Sequence, residues 1–252
     1  MPFEPTDRGN PYQLTKNQHI HSAHSIGKFY DSNGTVEVRI LAENKDVRRK
    51  KNDKIFVAKR VWDQRAEKGY MYEIETNFHR EIDFVRPFGQ RNHDAISKYF
   101  VLWRERFKFN LIDSSDALLE GVSGDELSKS EEEGFESKYM MYVRNGGVVP
   151  SRFATGFFIQ REIDCAMQLE FNGVEWGVVE AVDGEFLVAD CYVDCLVMPI
   201  SPSLAFVANE FDRKINREQL AAINNLSMGR ANKFVFARNL AACPVATNTQ
   251  CG

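Results

Sequence analysis

The spacing of hydrophobic positions divides the chain into strand-like and helix-like stretches. After an Asn-Gly turn, residues 35–40 alternate with a period of two, which predicts a strand. From residue 72 the apolar positions recur at steps of four, four and three until Pro87, which predicts an amphipathic helix. Similar spacing over 96–107 and 150–167 predicts two more long helices.

Shorter stretches lie before and between these helices. Residues 18–30 are expected to form a short helix, and the charged residues 43–54 are expected to form a loop. The polar, acidic stretch 121–134 is either a connection or the entry to a helix that carries Tyr139, Met140 and Val143.

The last third of the chain has a different pattern of hydrophobic residues. Short β-rich runs within 174–208 predict a small sheet, while 215–228 and 233–237 predict a late helix and a last strand. The order is therefore strands near the N-terminus, a helical middle, a small C-terminal sheet and a late helix. This order predicts an α+β protein rather than alternating βαβ units.

The same pattern suggests one main domain with two irregular ends. Residues 1–16 are rich in proline and glycine and are expected to form an irregular arm. Residues 17–240 are expected to form a single α+β domain, and 241–252 a loose tail.

Composition and charge narrow the classes of protein. The 252 residues are 43% hydrophobic and 27% charged, which is typical of a globular protein. The net charge of -4 lacks the strongly basic balance of a dedicated nucleic-acid-binding domain. No stretch approaches the roughly 20 apolar residues of a membrane span, and the first residues lack the pattern of a secretory signal. We therefore expect a cytoplasmic protein with no membrane partner.

The cysteines leave more than one interpretation open. They are Cys165, Cys191, Cys195, Cys243 and Cys251. An odd number in a chain of this length favours free thiols in a reducing compartment over a disulfide framework. Only Cys191 and Cys195 have the spacing of a zinc knuckle, and buried thiols after a strand are the alternative.

Several spaced segments carry the motifs of one family. Residues 17–19 (NQH) and 29–34 (FYDSNG) precede the first strand, while 55–62 and 74–78 combine a strand, an aromatic residue and a helix with a glutamate. Residues 175–204 run from EWGVV through FLVAD to MPISPSL. Together, and in altered form, these motifs resemble the uncharacterised prokaryotic family called domain of unknown function 4238.

The resemblance spans roughly residues 17–237 and implies a protein of prokaryotic or phage type. The family brings no activity that can be transferred to this chain. By analogy alone, the resemblance implies a part in conflicts between mobile elements and their hosts, in defence or anti-defence. His19 belongs to the first motif, and Asp190 ends the strand of the last.

A row of polar side chains on the first long helix is the main candidate for catalysis. Glu75, His79 and Asp83 recur at steps of four, which places them about 6 Å apart per step on one face. Such a row can ligate a metal, or His79 can act as a base oriented by a carboxylate. A solvated helix face gives the same pattern. We select His19, Glu75, His79 and Asp190 as the candidate catalytic set.

Three histidines near the N-terminus are a second candidate for metal chemistry. A helix would place His21 and His24 on one face, whereas an extended segment would bring His19 and His21 together. Imidazoles this close can bind a transition metal, although polar or capping residues of a surface helix give the same sequence. The metal therefore stays unknown, and a divalent cation is implied only if the chain is a hydrolase.

One basic segment is the main candidate for binding nucleic acid or a partner. Its residues are Arg48, Arg49, Lys50, Lys51 and Lys54. Phosphate contacts use such clusters, but a solvated loop produces the same run of charge. No helix-turn-helix, zinc finger or RNA-binding aromatic motif accompanies the segment. A protein partner is therefore expected, and nucleic acid is a possible one.

Two functions of different classes are compatible with these features. The first is macromolecular interaction, in which the basic segment 48–54 and the acidic segment 125–136 steer a partner onto a hydrophobic anchor. The alternative is a metal-dependent hydrolase of nucleic acid, in which the four candidate catalytic residues converge. We rank interaction first because no complete catalytic motif is present.

Overall fold

The computed structural model of the chain describes residues 4–192 and 195–245. The helices of these residues, in chain order, are α1 (Ala23–Gly27), α2 (Gln64–Lys68), α3 (Tyr70–Asp83), α4 (His93–Leu111), α5 (Lys129–Ser137), α6 (Ser151–Leu169) and α7 (Arg217–Arg230). The strands are β1 (Asn17–His19), β2 (Val36–Ile40), β3 (Lys45–Arg49), β4 (Val57–Lys59), β5 (Ala117–Leu118), β6 (Val148–Val149), β7 (Trp176–Ala181), β8 (Val188–Ala189), β9 (Val197–Pro199), β10 (Leu204–Ala208), β11 (Arg213–Ile215) and β12 (Phe234–Ala237). The order of these elements confirms the α+β class.

The predicted arm and tail are described only in part. Residues 1–3 of the arm and 246–252 of the tail, with Cys251, lie outside the described residues. Residues 4–16 contain turns but no helix or strand. The three long helices predicted from apolar spacing are confirmed as α3, α4 and α6.

The helix predicted over residues 18–30 is wrong for its first part. The Oε1 atom of the Gln18 side chain accepts the N–H groups of Val61 and Trp62, and its Nε2 donates to the Trp62 carbonyl at 2.7 Å. These bonds hold the segment extended, as β1 beside β4. The helix begins only after Ser22, whose Oγ accepts the N–H of Ser25 and caps α1.

The loop predicted over residues 43–54 is also wrong, because β3 lies within it. This strand pairs antiparallel with β2, and Val47 lies opposite Val38. Asn44 adopts a φ of 47° in the connecting turn, a conformation that asparagine tolerates better than most residues. Backbone pairing in a hairpin thus outweighs the polar composition from which the loop was predicted.

Contacts between Cα atoms divide the chain into two compact units. The first unit contains residues 1–20, 54–77 and 101–172. The second unit contains residues 21–53, 78–100 and 173–252. The boundaries fall inside α3 and α4, so each of these helices contributes residues to both units.

The first unit is mainly helical. Its helix α6 approaches α2 closely at Gly156, where an added Cβ would lie 2.1 Å from the Asp63 carboxylate. Only glycine fits this position, and the hydroxyl of Tyr70 donates to its carbonyl at 2.8 Å. Tyr142 and Phe153 are buried in a small apolar cluster to which the strands β5 and β6 also contribute residues.

The second unit contains two four-stranded sheets. The C-terminal strands form one sheet in the order β11-β7-β10-β9, whereas β8 and β12 join the N-terminal hairpin in the order β3-β2-β12-β8. Val179, Phe186 and Ala205 are fully buried between the first sheet and α7. The buried amide of Asn224 on α7 accepts the N–H of Leu187 at 2.8 Å and so fixes the helix next to β8.

Candidate functional site

The four residues selected from the sequence as a catalytic set are divided between the two units. His19 and Glu75 belong to the first unit, and His79 and Asp190 belong to the second. Over residues 4–192 and 195–245, no group of three or more His, Cys, Asp or Glu side chains is arranged to hold a metal ion.

Glu75 is the acidic partner of a buried arginine. Arg106 is only 2% exposed, and its guanidinium forms an ion pair with Glu75 and lies 5.3 Å above the ring of Trp62. An arginine taken out of water needs an opposite charge, because an unpaired buried charge is strongly unfavourable. Glu75 therefore stabilises the interior of the first unit.

Asp190 fixes the turn that leads from α7 into β12. Its two carboxylate oxygens accept the backbone N–H groups of Asn232 and Lys233, each at 2.8 Å. Burial raises the pKa of this carboxyl above its usual value, and the backbone donors oppose that rise. Both oxygens hold the turn in place, so Asp190 has a structural role.

His79 lies in a cluster of polar side chains in the second unit. Its Nε2 lies 2.9 Å from the Ser22 Oγ, and its ring centroid lies 4.3 Å from that of His24. His24 and Lys28 both contact the Asp83 carboxylate, at 2.8 and 2.5 Å. We call Ser22, His24, His79 and Asp83 the imidazole cluster.

The charge of Asp83 is set by its neighbours in the imidazole cluster. Burial alone would raise the pKa of this carboxyl, but hydrogen bonds from Lys28 and His24 lower it below the usual value. The cluster therefore contains an ionised carboxylate next to two imidazoles whose rings are tilted by 34° to each other. This arrangement can hold or transfer a proton.

Tyr99 continues the imidazole cluster into the interior of the second unit. Its hydroxyl accepts the N–H of Ser22 at 2.9 Å and lies 3.0 Å from the Nδ1 of His21. A serine hydroxyl hydrogen-bonded to an imidazole is the arrangement used in nucleophilic catalysis. Ser22 is only 2% exposed, however, and its Oγ also caps α1.

The basic segment begins on the edge strand β3, where Arg48 and Arg49 have acidic neighbours. Arg48 lies 3.2 Å from Glu37 and 3.7 Å from Asp31, and Arg49 lies 3.4 Å from Asp53. Residues 31–53 contain six basic and five acidic side chains, so the hairpin is nearly neutral. Charged side chains on an edge strand also prevent two sheets from joining edge to edge.

The lysines of the basic segment differ in their surroundings. Lys50 and Lys54 are exposed, while Lys51 is half-buried and its backbone N–H donates to the hydroxyl of Tyr30 at 2.7 Å. Lys54 belongs to the first unit, and the other residues of the segment belong to the second.

Three of the six acidic side chains of the segment 125–136 point into the first unit, and they are Glu132, Glu133 and Glu136. Glu136 is 2% exposed and contacts the guanidinium groups of Arg60 and Arg152 at 2.7 and 2.9 Å. Glu132 is 5% exposed and contacts Arg144 at 2.6 Å. We call these residues, together with Glu4, the buried ion network.

Glu4 connects the N-terminal arm to the buried ion network. Its carboxylate contacts Lys129 and Arg144, at 2.7 and 2.6 Å, and also Arg152. Burial alone would raise the pKa of Glu4, but Arg152 and Lys129 hold it at about 2. The arm is therefore attached to the first unit by charge.

Most of the exposed large apolar side chains belong to the first unit. Of the 18 that are exposed in the described ranges, 12 belong to the first unit. Six of them lie in two segments and are 42% to 66% exposed. These six, which we call the two-loop surface, are Leu118, Leu119, Val122, Tyr139, Met140 and Met141.

The two segments of the two-loop surface are neighbours in the fold. The N–H of Leu119 donates to the carbonyl of Gly147 at 2.9 Å. Gly124 lies so close to the chain at Val143 that an added Cβ would come within 1.9 Å of its carbonyl oxygen. Beside the apolar side chains, Glu120, Asp125 and Glu126 are exposed.

Tyr139 combines exposure with an unfavourable backbone conformation. It is 54% exposed and has a φ of 63°, just beyond the end of α5. Glycine is the usual residue at this position of a helix end, and the left-handed conformation costs other residues about 1 kcal/mol or more. An exposed aromatic ring offers little burial in return, so its presence points to a functional role.

Comparison of the chain with known protein families, with curated proteins and with solved structures finds no match. None of the helices α1–α7 is long and apolar enough to cross a membrane. In the described ranges, Cys165, Cys191, Cys195 and Cys243 are free thiols. Burial raises the pKa of the Cys195 thiol.

Proposed function

We propose that the chain is a cytoplasmic protein of prokaryotic or phage type that binds another protein through the two-loop surface. The observation that carries this proposal is the conformation of Tyr139. Its backbone is left-handed, which is unfavourable for tyrosine, and its ring is exposed next to Met140 and Met141. Aromatic and methionine side chains are enriched at interfaces, and exposed apolar surface beside polar residues marks such sites.

The charges around the two-loop surface indicate the chemistry of the partner. Glu120, Asp125 and Glu126 are exposed carboxylates, so a partner with basic side chains around an apolar anchor is complementary. The same carboxylates repel phosphate groups, which makes a nucleic acid the less suitable ligand for this surface. Arg48 and Arg49 of the basic segment are paired with acidic neighbours in a hairpin that is nearly neutral, so the segment has at most a steering role.

A protein that acts only by occupying a partner's surface suits a role in conflicts between mobile elements and hosts. That role, in defence or anti-defence, rests on the family resemblance and remains an analogy.

The proposal is tested with a synthetic helical peptide that carries lysine on one face and leucine on the other. Fluorescence anisotropy of the labelled peptide should show binding that weakens with salt, whereas a peptide with glutamate in place of lysine should not bind. Equal binding of the two peptides, or none of either, would contradict the proposal.

A pair of matched variants locates the binding surface. Met140 and Leu226 are 49% and 48% exposed, and Leu226 lies on α7 in the second unit. Met140→Ser should weaken binding of the lysine peptide about tenfold, because interface anchors contribute on the order of 1–2 kcal/mol each. Leu226→Ser should leave it unchanged. Equal losses in both variants would show that another surface binds the peptide.

A hydrolase is a second candidate function, favoured by the 2.9 Å contact between His79 and Ser22. In this case His79 accepts the hydroxyl proton of Ser22 as the Ser22 oxygen attacks the ester or phosphate group. The bond to the leaving group then breaks, and the leaving group takes the proton from His79. His79→Gln should then abolish cleavage of nucleic acid or ester substrates measured with and without added divalent cations, while His93→Gln should not. Wild-type protein without activity would remove this candidate.

A further inference from the structure

The exposed face of α6 carries a regularly spaced row of side chains. Phe157, Arg161, Asp164 and Gln168 recur at steps of four, three and four, so they lie along one stripe of the helix. All four are exposed, and Phe157 is 56% exposed. They line a shallow depression of about 310 Å³ in the first unit.

Two opposite charges at the centre of this row are unpaired within the described part of the chain. The side chains of Arg161 and Asp164 form no ion pair or hydrogen bond there, although they are one helical turn apart. The buried face of the same helix is different. There Arg152 is paired with Glu136, and Ile163 is packed in the interior.

The steps of four, three and four residues are the same whether the row is followed from the N-terminus or from the C-terminus of α6. When a second α6 lies antiparallel across it, about a two-fold axis between residues 162 and 163, each Arg161 faces the Asp164 of the other copy. Each Phe157 then lies near Gln168 of the other copy and near Leu169, which is 84% exposed.

We propose that the chain forms a two-fold symmetric dimer through this face of α6. A second copy is the occupant because a symmetric row with unpaired opposite charges at its centre is complementary to itself. The two reciprocal ion pairs set the antiparallel register at the usual interaxial distance of about 8–10 Å. Phe157 and Leu169 cover both ends of the row with apolar surface.

The dimer is tested by measuring the molar mass of the full chain over a series of concentrations, by sedimentation equilibrium. The wild-type mass should rise from 28.9 kDa towards twice that value. Arg161→Asp places four carboxylates at the axis and should raise the dimer dissociation constant at least about tenfold. The double variant Arg161→Asp, Asp164→Arg exchanges the charges and should restore the wild-type dissociation constant to within about threefold.

A matched variant controls for the change in net charge. Lys98 is an exposed residue of α4, and Lys98→Asp makes the same change of two charge units on a different helix. It should leave the dissociation constant unchanged. A wild-type chain that stays at 28.9 kDa, an Arg161→Asp dimer as tight as the wild type, or a double variant that stays monomeric would each overturn the proposal.

The dimer and the proposed partner binding are tested independently. Met140→Ser should leave the dimer dissociation constant unchanged, and Arg161→Asp should leave the affinity for the lysine peptide unchanged. Failure of one proposal would therefore be visible without failure of the other.

Discussion

Over the described residues, the first unit buries more charged side chains than the second and exposes more large apolar ones. The first unit buries Arg152 and Glu136 at 4% and 2% exposure, while it leaves Leu118 at 66% exposure. The second unit has an apolar core with Val179 and Phe186 fully buried. The first unit therefore depends more on paired buried charges, and more of its apolar surface is available for binding.

This contrast has an energetic consequence. A buried ion pair contributes little net stability, because the desolvation of both charges offsets their attraction, but loss of one partner leaves an uncompensated charge. An apolar core contributes stability roughly in proportion to the area that it removes from water. The first unit should therefore be sensitive to charge and pH, and the second unit to side-chain volume.

The largest expected effect comes from breaking the buried ion network. Arg152→Ala removes the partner of Glu136 and Glu4 and should lower the free energy of unfolding by about 3–5 kcal/mol. Denaturant titration followed by circular dichroism measures this loss. Arg217→Ala, which breaks the exposed pair with Asp183, is the control and should change it by less than about 1 kcal/mol. Similar values for both variants would remove the distinction between the units.

The second unit should respond to a smaller core residue. Val179→Ala removes two methyl groups from a fully buried position and should lower the free energy of unfolding by about 2 kcal/mol. The loss should be the same at pH 4 and pH 7, because no charge is involved. A loss that varies with pH would indicate that titrating groups also stabilise this core.

Glu4 makes the first unit sensitive to acid. Its pKa of about 2 in the folded chain lies below the ordinary value of 4.5, so the unfolded chain binds the proton first. The stabilisation is complete above about pH 4.5 and is lost as the pH falls towards 2. It should be on the order of 1 kcal/mol, since solvent screens a partly exposed carboxylate. Glu4→Gln measures it as the difference from wild type, and a difference that persists at pH 2 would contradict this assignment.

Tyr139→Gly should have the smallest effect on stability. Relief of the left-handed conformation should offset the greater freedom of glycine in the unfolded chain, so the free energy of unfolding should change by less than about 1 kcal/mol. The variant should nevertheless bind the lysine peptide at least tenfold more weakly. Asn209→Gly, at a φ of 57° in the second unit, is the control for strain relief and should bind normally. A Tyr139→Gly variant with full affinity would contradict the role of the ring.

The long helices were predictable because their apolar spacing is a local property. The strand β3 was not, since it exists through pairing with β2 and its own side chains are mostly charged. Likewise, β1 is extended because Gln18 bonds to the backbone at Trp62, which is 44 positions away in the sequence. Contacts of this range leave no periodic signal along the chain.

The roles of the candidate catalytic residues likewise depend on contacts that are distant in the sequence. The spacing of Glu75 and His79 correctly placed both on one helix, but the partners that decide their roles, Arg106 and Ser22, are distant in sequence. The serine before α1 is a helix-cap signal that is present in the sequence. Its contact with His79 spans 57 positions and could not have been predicted from spacing.

The exposed apolar surface could not be predicted from the sequence either. The sequence left open whether residues 121–134 form a connection or the entry to a helix that carries Tyr139 and Met140. The helix α5 ends at Ser137, so these side chains fall beyond it and stay exposed. Only the end point of the helix distinguishes a core residue from a surface residue here.

Hydrogen–deuterium exchange in the presence of the lysine peptide is the most direct test of the division between the units. If the two-loop surface binds the peptide, exchange should slow over residues 117–126 and 138–143 in the first unit. Exchange in the β2–β3 hairpin should be unchanged. Protection confined to residues 45–51 of that hairpin would contradict the account, because it would place binding on the basic edge strand.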